Sequence, residues 1–192
     1  MKRIYTVIAS ALLLSGCTSV PPLDFSPTNV GMSSVKHDAA LVSTSVTAAS
    51  KADRKGPIDI AGAENDITSM WKTALDDTIL RMAIFRDDSA NKMSLAVKIL
   101  KADLPGAGFA MTTRTIARYE LINRNTGDIV FSAEIETDGR VPMNDNFMGA
   151  IRARNSLSLS VQNNISTFLQ QLEAADLTKP MFPAQQQQQG QK

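Results

Sequence analysis

Few side chains in this sequence are equipped for chemistry. There is one cysteine, Cys17, and one histidine, His37, so any Ser-His-Asp triad would have to recruit that single imidazole. Asp76 and Asp77 are adjacent in a helical pattern and point in different directions, which argues against a paired-carboxylate device. Pro105, Gly106, Ala107 and Gly108 lack the lysine and the following helix of a phosphate-binding loop. No set of His, Cys and carboxylates has metal-ligand spacing. The chain is therefore expected not to be an enzyme and to carry neither metal nor cofactor, with a carboxylate-dependent hydrolase as the one catalytic reading left open. Two groups of residues could serve contacts instead. Leu104, Phe109 and Met111 sit among small residues in one loop, where they either meet a partner protein or lipid, or tuck under a sheet edge as an ordinary connection. Arg140, Arg152 and Arg154 lie near a strand-to-helix junction, where they either hold a phosphate or carboxylate or pair with Glu134, Glu136 or Asp145.

Cys17 closes an N-terminal segment with the three parts of an export signal. Lys2 and Arg3 form a positive start, Ile4 to Leu14 an apolar run too short to span a bilayer, and small residues precede the cysteine. Leu14, Ser15, Gly16 and Cys17 resemble the lipobox of bacterial lipoproteins. That resemblance implies a diacylglycerol on the Cys17 thiol, cleavage before it, and acylation of the new amine. Two or more acyl chains anchor stably where one does not, at about 0.8 kcal/mol for each buried methylene. Thr18 and Ser19 follow where an inner-membrane retention signal would have aspartate, so the resemblance implies the outer membrane, with the domain facing the periplasm. The lone cysteine, once acylated, leaves none for a disulfide, and the fold must rest on its core.

The 192 residues divide into a signal peptide (1–16), a lipidated N-terminus and tether (17–38), one domain (39–175) and a tail (176–192) expected to be disordered because of its prolines and the run Gln185 to Gln189. Pro21, Pro22 and Pro27 break up the tether, which is expected to extend between membrane and domain unless Val20, Leu23 and Phe25 dock. Formal charge is +1, and loss of Lys2 and Arg3 lowers it by two, to −1. Such a balance, with aromatics at 5%, argues against nucleic-acid binding.

Within the domain, periodicity predicts a strand over Ala39 to Ala49, with Val42, Thr44, Val46 and Ala48 on one face. A helix capped by Asn65 or Asp66 follows, with Ile67, Met70, Trp71, Ala74, Leu75, Ile79 and Met82 as its apolar stripe. Three alternating strands come next, Lys92 to Ala102, Thr112 to Asn123 and Asp128 to Asp138, the last two joined by a hairpin in which Gly127 suits a positive φ. A closing helix is expected from Asn146 to Glu173, with Phe147, Ile151, Leu157, Val161, Ile165, Phe168 and Leu172 inward and Arg152, Asn155, Ser156, Gln162, Asn163 and Gln170 elsewhere.

These elements predict an α+β two-layer sandwich, a mainly antiparallel β-α-β-β-β-α sheet packed against two helices. With the lipobox, the helix around Trp71 to Met82, the segment Ile116 to Phe131 and the helix start at Gly149 to Arg154, this order resembles the small periplasmic lipoproteins of the YajG type. It is similar, more distantly, to auxiliary lipoproteins of ABC-type transport and to the lipopolysaccharide-assembly lipoprotein. The resemblance implies no catalytic residues. The expected function is a membrane-anchored lipoprotein that binds membrane lipid through acylated Cys17 and an envelope protein in assembly or transport. A binder or carrier of lipid or another small ligand is the alternative.

Overall fold

The computed structural model describes residues 22–59, 64–106 and 108–184; Cys17, the signal segment and the glutamine run lie outside them. Strand β1 (Ala40–Ala48) leads through the two-residue β2 (Ile58–Asp59) to helix α1 (Glu64–Met82). Strands β3 (Lys92–Asp103), β4 (Met111–Asn123) and β5 (Ile129–Val141) follow, and helix α2 (Gly149–Glu173) closes the domain. The sheet order is β1-β3-β4-β5. The last three strands form an antiparallel meander, while β1 runs parallel to β3 with α1 in the long crossover that parallel neighbours require. β2 pairs with the far end of β3, after the loop following Ala49 has left the sheet and returned.

Strict alternation decides which face of each strand is buried. Met93, Leu95, Val97 and Ile99 of β3 point inward with Ala117, Tyr119 and Leu121 of β4 and Phe131 and Ile135 of β5. The opposite face carries a charge ladder: Arg118 reaches Glu134 (3.1 Å), which Lys55 also holds, and Arg114 reaches Glu136 (3.0 Å) and Asp138 (2.8 Å). The hydrogen bond from Arg114 holds the Asp138 carboxyl below its ordinary pKa, and Lys55 does the same for Glu134. At the hairpin, Gly127 takes φ +79°, where an L side chain would be strained.

Both helices cover the inner face. Trp71 of α1 donates from Nε1 to the Tyr119 hydroxyl (3.2 Å), and that hydroxyl donates to Asn164 Oδ1 of α2 (2.8 Å). Asn164 Nδ2 in turn donates to the Ile135 carbonyl (2.9 Å). Burial pushes the Tyr119 pKa far above the phenol range, so this ring stays neutral and keeps its donor proton. Phe168 stacks on Tyr119 at 4.2 Å between centroids.

Three expectations need correction, and one left open is decided. α2 starts at Gly149, not Asn146, and its inward face includes a polar row of Arg152, Ser156, Ser160 and Asn164, all buried. Ser156 bonds Thr113 (2.8 Å) and Ser160 bonds Thr115 (2.9 Å), so each hydroxyl finds a partner on the sheet. Val42 is 47% exposed, because a bulge between Leu41 and Ser43 turns it out of the inward set. Of the two arrangements open to the segment before the domain, residues 22–38 take the docked one: Phe25 is buried edge-on against Trp71, and His37 Nε2 donates to the Leu172 carbonyl (2.9 Å). The start of the tail is ordered too, since Phe182 bridges to Ile129 and Ala184 N donates to Asp128.

Gly139 marks the closest approach of α2 to the sheet. A Cβ there would lie 2.1 Å from the Ser156 carbonyl oxygen and 2.3 Å from the Ser160 nitrogen, both backbone atoms that cannot step aside. Gly139→Ala is expected to lose roughly 3 kcal/mol or more. Gly31→Ala, which meets nothing within 4 Å, is the control expected to unfold near the wild-type midpoint in urea. On the outer face, stability from the Arg114 to Asp138 pair is present in full above the ordinary carboxylate pKa. It is lost as pH falls through the lowered folded value. Arg114→Gln is therefore expected to be slightly less stable than wild type at neutral pH, the effect being small for so exposed a pair, with the difference closing in acid. Denaturant titrations at several pH values check this.

Candidate functional site

The loop after β3 and the segment between β5 and α2 meet at one end of the domain, and Arg152 joins them. This side chain is only 5% exposed. Its guanidinium donates to the carbonyls of Asn146 (2.5 Å) and Phe147 (3.0 Å) from Nη1, and to that of Gly108 (3.2 Å) from Nη2. Arg152 Nε is buried with no partner among the described residues. The guanidinium thus acts as a backbone pin between two loops, and the anion-binding role open to it in the sequence is largely taken up by carbonyls.

Around the pin lies a groove of about 680 Å³, lined by Leu104, Met111, Gly149, Ala153 and Arg154 among others. Two groups that the sequence presents as separate, the apolar loop and the arginines, are thereby brought together. Leu104 is half-buried and Met111 is buried, its Cε packed near Gly149. Phe109, by contrast, stands 83% exposed. Arg154 is half-buried at the groove and Arg140 is exposed on β5, opposite Thr112 of β4. Of the three acids expected to pair with them, two are engaged elsewhere, Glu134 with Lys55 and Arg118 and Glu136 with Arg114.

Phe147, Met143 and Met148 belong to this end as well and were not legible as such. Phe147 is 93% exposed, with Met143 and Met148 beside it in sequence and also exposed. The misleading signal was Asn146, which looks like a helix cap. Its Oδ1 accepts instead from Met148 N (2.8 Å), a local turn that delays the helix and leaves Phe147 outside it. The usable signal was Gly149, which follows two large apolar residues and has no side chain of its own to pack.

A second feature lies across the domain. Between α1 and β1 runs an open groove of about 970 Å³, lined by Val42, Ser43, Thr44, Lys72, Asp76, Leu80 and Arg86 among others. Leu80 is 78% exposed. β1 is an edge strand, and among the described residues no strand pairs with its outer side. Asp76 is held by Lys72 on the same helix face, and among the described residues the carboxylates with a displaced pKa are displaced downward, away from what a general acid needs. Among the described residues no group of three metal-ligating side chains occurs, and no helix is long and apolar enough to cross a membrane.

No family model matches this chain, and no curated protein matches it in sequence. Solved structures share its shape. A DUF330-family protein from Xanthomonas campestris superposes with a TM-score of 0.51 at 10% identity, over 80% of this chain and 93% of that one. The two chains share a fold. A minor lipoprotein from Acinetobacter baumannii matches with a TM-score of 0.42 at 9% identity, over 69% of this chain and 92% of its own. A lipoprotein from Neisseria meningitidis does so with a TM-score of 0.35 at 11% identity, over 71% and 99%. At such identities no residue role carries across.

Arg152→Met is expected to release both loops, at a cost of about 2–4 kcal/mol for three orphaned carbonyls in a partly wet site. Hydrogen exchange should quicken at residues 108–111 and 147–152 while the β3–β4 ladder stays protected. Unchanged exchange there would remove the pin.

Proposed function

We propose that this protein is a non-enzymatic lipoprotein, anchored through acyl chains on Cys17 to the periplasmic face of the outer membrane, whose domain binds an envelope protein in assembly or transport. The YajG-type and transport-auxiliary resemblance belongs to the same proposal. Support for the anchor is the order Leu14, Ser15, Gly16, Cys17 behind a short apolar run. Support for partner binding is one structural observation, the open outer edge of β1 beside the α1 groove. An extended segment of another protein can add to such an edge through its backbone and place side chains against Val42 and Leu80. The carrier alternative loses ground because the space between sheet and helices is filled by Trp71, Tyr119, Phe131 and Phe168.

Membrane fractionation with mass analysis of the mature N-terminus tests the anchor. Wild type is expected to carry acyl chains and sediment with outer membrane, and Cys17→Ala to do neither. A photo-crosslinking residue at Leu80 in the acylated chain tests the partner. A discrete adduct with one envelope protein is expected, lost when a proline at Ser45 disturbs the strand edge but not when Arg154 is replaced. An absence of adducts along β1 would leave an anchored domain with no partner on this face.

A further inference from the structure

The N-terminal segment runs alongside α2, and its direction shows which end of the domain it approaches. His37 sits at Leu172, Ser33 at Glu173, and Asp24 lies between Ser158 and Gln162, bonded to both. Read backward from His37, the chain climbs α2 from its C-terminal end toward its start. Cys17 precedes Asp24 by seven residues, which span up to roughly 24 Å when extended. From Ser158 to Gly149 is nine residues of helix, roughly 14 Å. Seven residues are thus long enough to reach the end of the domain that carries Phe109 and Phe147, the end toward which the described chain is heading.

That end has the composition of a surface that meets lipid. Phe109, Met143, Phe147 and Met148 are all exposed there, and Arg152 holds the Gly108 and Phe147 carbonyls on one guanidinium, so the two phenylalanines sit on adjoining loops. The stretch Leu104 to Ala110 has no charged residue, and Pro142 to Met148 has only Asp145. An exposed phenylalanine forgoes about 1.5–3 kcal/mol that burial would return. Two of them pinned on one tip call for something to cover them. Arg140 on β5, opposite Thr112, and Arg154, which lines the groove, belong to the same end of the domain.

Resting on the acylated-Cys17 reading, we infer that the tip formed by Phe109, Met143, Phe147 and Met148 enters the interface of the same bilayer that holds the acyl chains. The domain is then seated on the membrane with a fixed face down, and the β1 edge lies along its flank. The acyl chains supply the attachment and the tip supplies the orientation.

The test uses the mature acylated chain in vesicles of phosphatidylethanolamine and phosphatidylglycerol, with or without acyl-brominated phosphatidylcholine. Phe147→Trp reports the tip, Leu80→Trp reports the α1 face, and native Trp71, fully buried, supplies a constant background in both. Bromolipid is expected to remove about half or more of the added fluorescence of Phe147→Trp and almost none of that of Leu80→Trp. Equal quenching of the two overturns the inference, and so does a tip that emits as if in water, the outcome expected when its natural cover is a protein absent from the vesicles. Mass analysis of the same samples separates the two readings. An acylated chain with an unquenched tip keeps the anchor and loses the seating, whereas an unacylated chain loses the anchor and is judged by the same quenching on added vesicles.

Discussion

One buried chain of hydrogen bonds, from Trp71 through Tyr119 and Asn164 to the Ile135 carbonyl, joins α1, β4, α2 and β5. Each group in it both removes and creates an obligation. Tyr119 could not be buried without an acceptor, Asn164 could not face a core without two partners, and either one left alone would cost about 1–3 kcal/mol. Satisfied together, they fix the height of α2 above the sheet. That height dictates glycine at 139 and hydroxyls at 156 and 160, because a larger residue would push the helix off its hydrogen bonds. The same row, at four-residue steps along α2, ends in Arg152, so the polar seam that positions the helix in the core also positions the two loops at the tip.

The seam treats the two edges of the sheet differently. Along β5, Asn164 reaches the Ile135 carbonyl, Ser160 that of Thr137 and Asn163 that of Asp138, while the segment around Phe182 bridges its start. An edge dressed in this way is a poor template for another strand. β1 has no such cover on its outer side among the described residues, and the bulge at Val42 places an apolar side chain where a visitor would find it. The protein protects one edge and leaves the other open, which is why partner binding is assigned to β1.

The meander was legible because period two over β3, β4 and β5 leaves little choice of face, and the α1 stripe was legible because its buried positions are apolar. α2 defeated the same logic over its N-terminal half. Arg152 and Ser156 read as lying off the apolar stripe, yet a helix pressed close to a strand has room only for small side chains, and serines facing threonines satisfy one another. Hydrophobicity alone does not encode that kind of pairing. The arginines and the apolar loop were each identifiable, but their convergence required the β3–β4 connection to fold onto the start of α2. The tether left two arrangements open for another reason: prolines that forbid regular structure do not forbid docking, and Phe25 alone returns about 1.5–3 kcal/mol by lying against Trp71.

That docking changes the mechanics of the proposed anchor. A free segment from Cys17 to Asp38 would let the domain wander tens of ångströms from the lipid and present any face to it. With Asp24 held by Ser158 and Gln162, and His37 held by Leu172, only the few residues before Leu23 remain to span the gap. The orientational freedom that a long tether would retain has been surrendered during folding, before any membrane is met. A domain so restrained loses little further entropy on settling against the bilayer, so even a small apolar tip is enough to set its orientation. The short leash and the paired phenylalanines are complementary: either one alone would leave the open β1 edge facing at random.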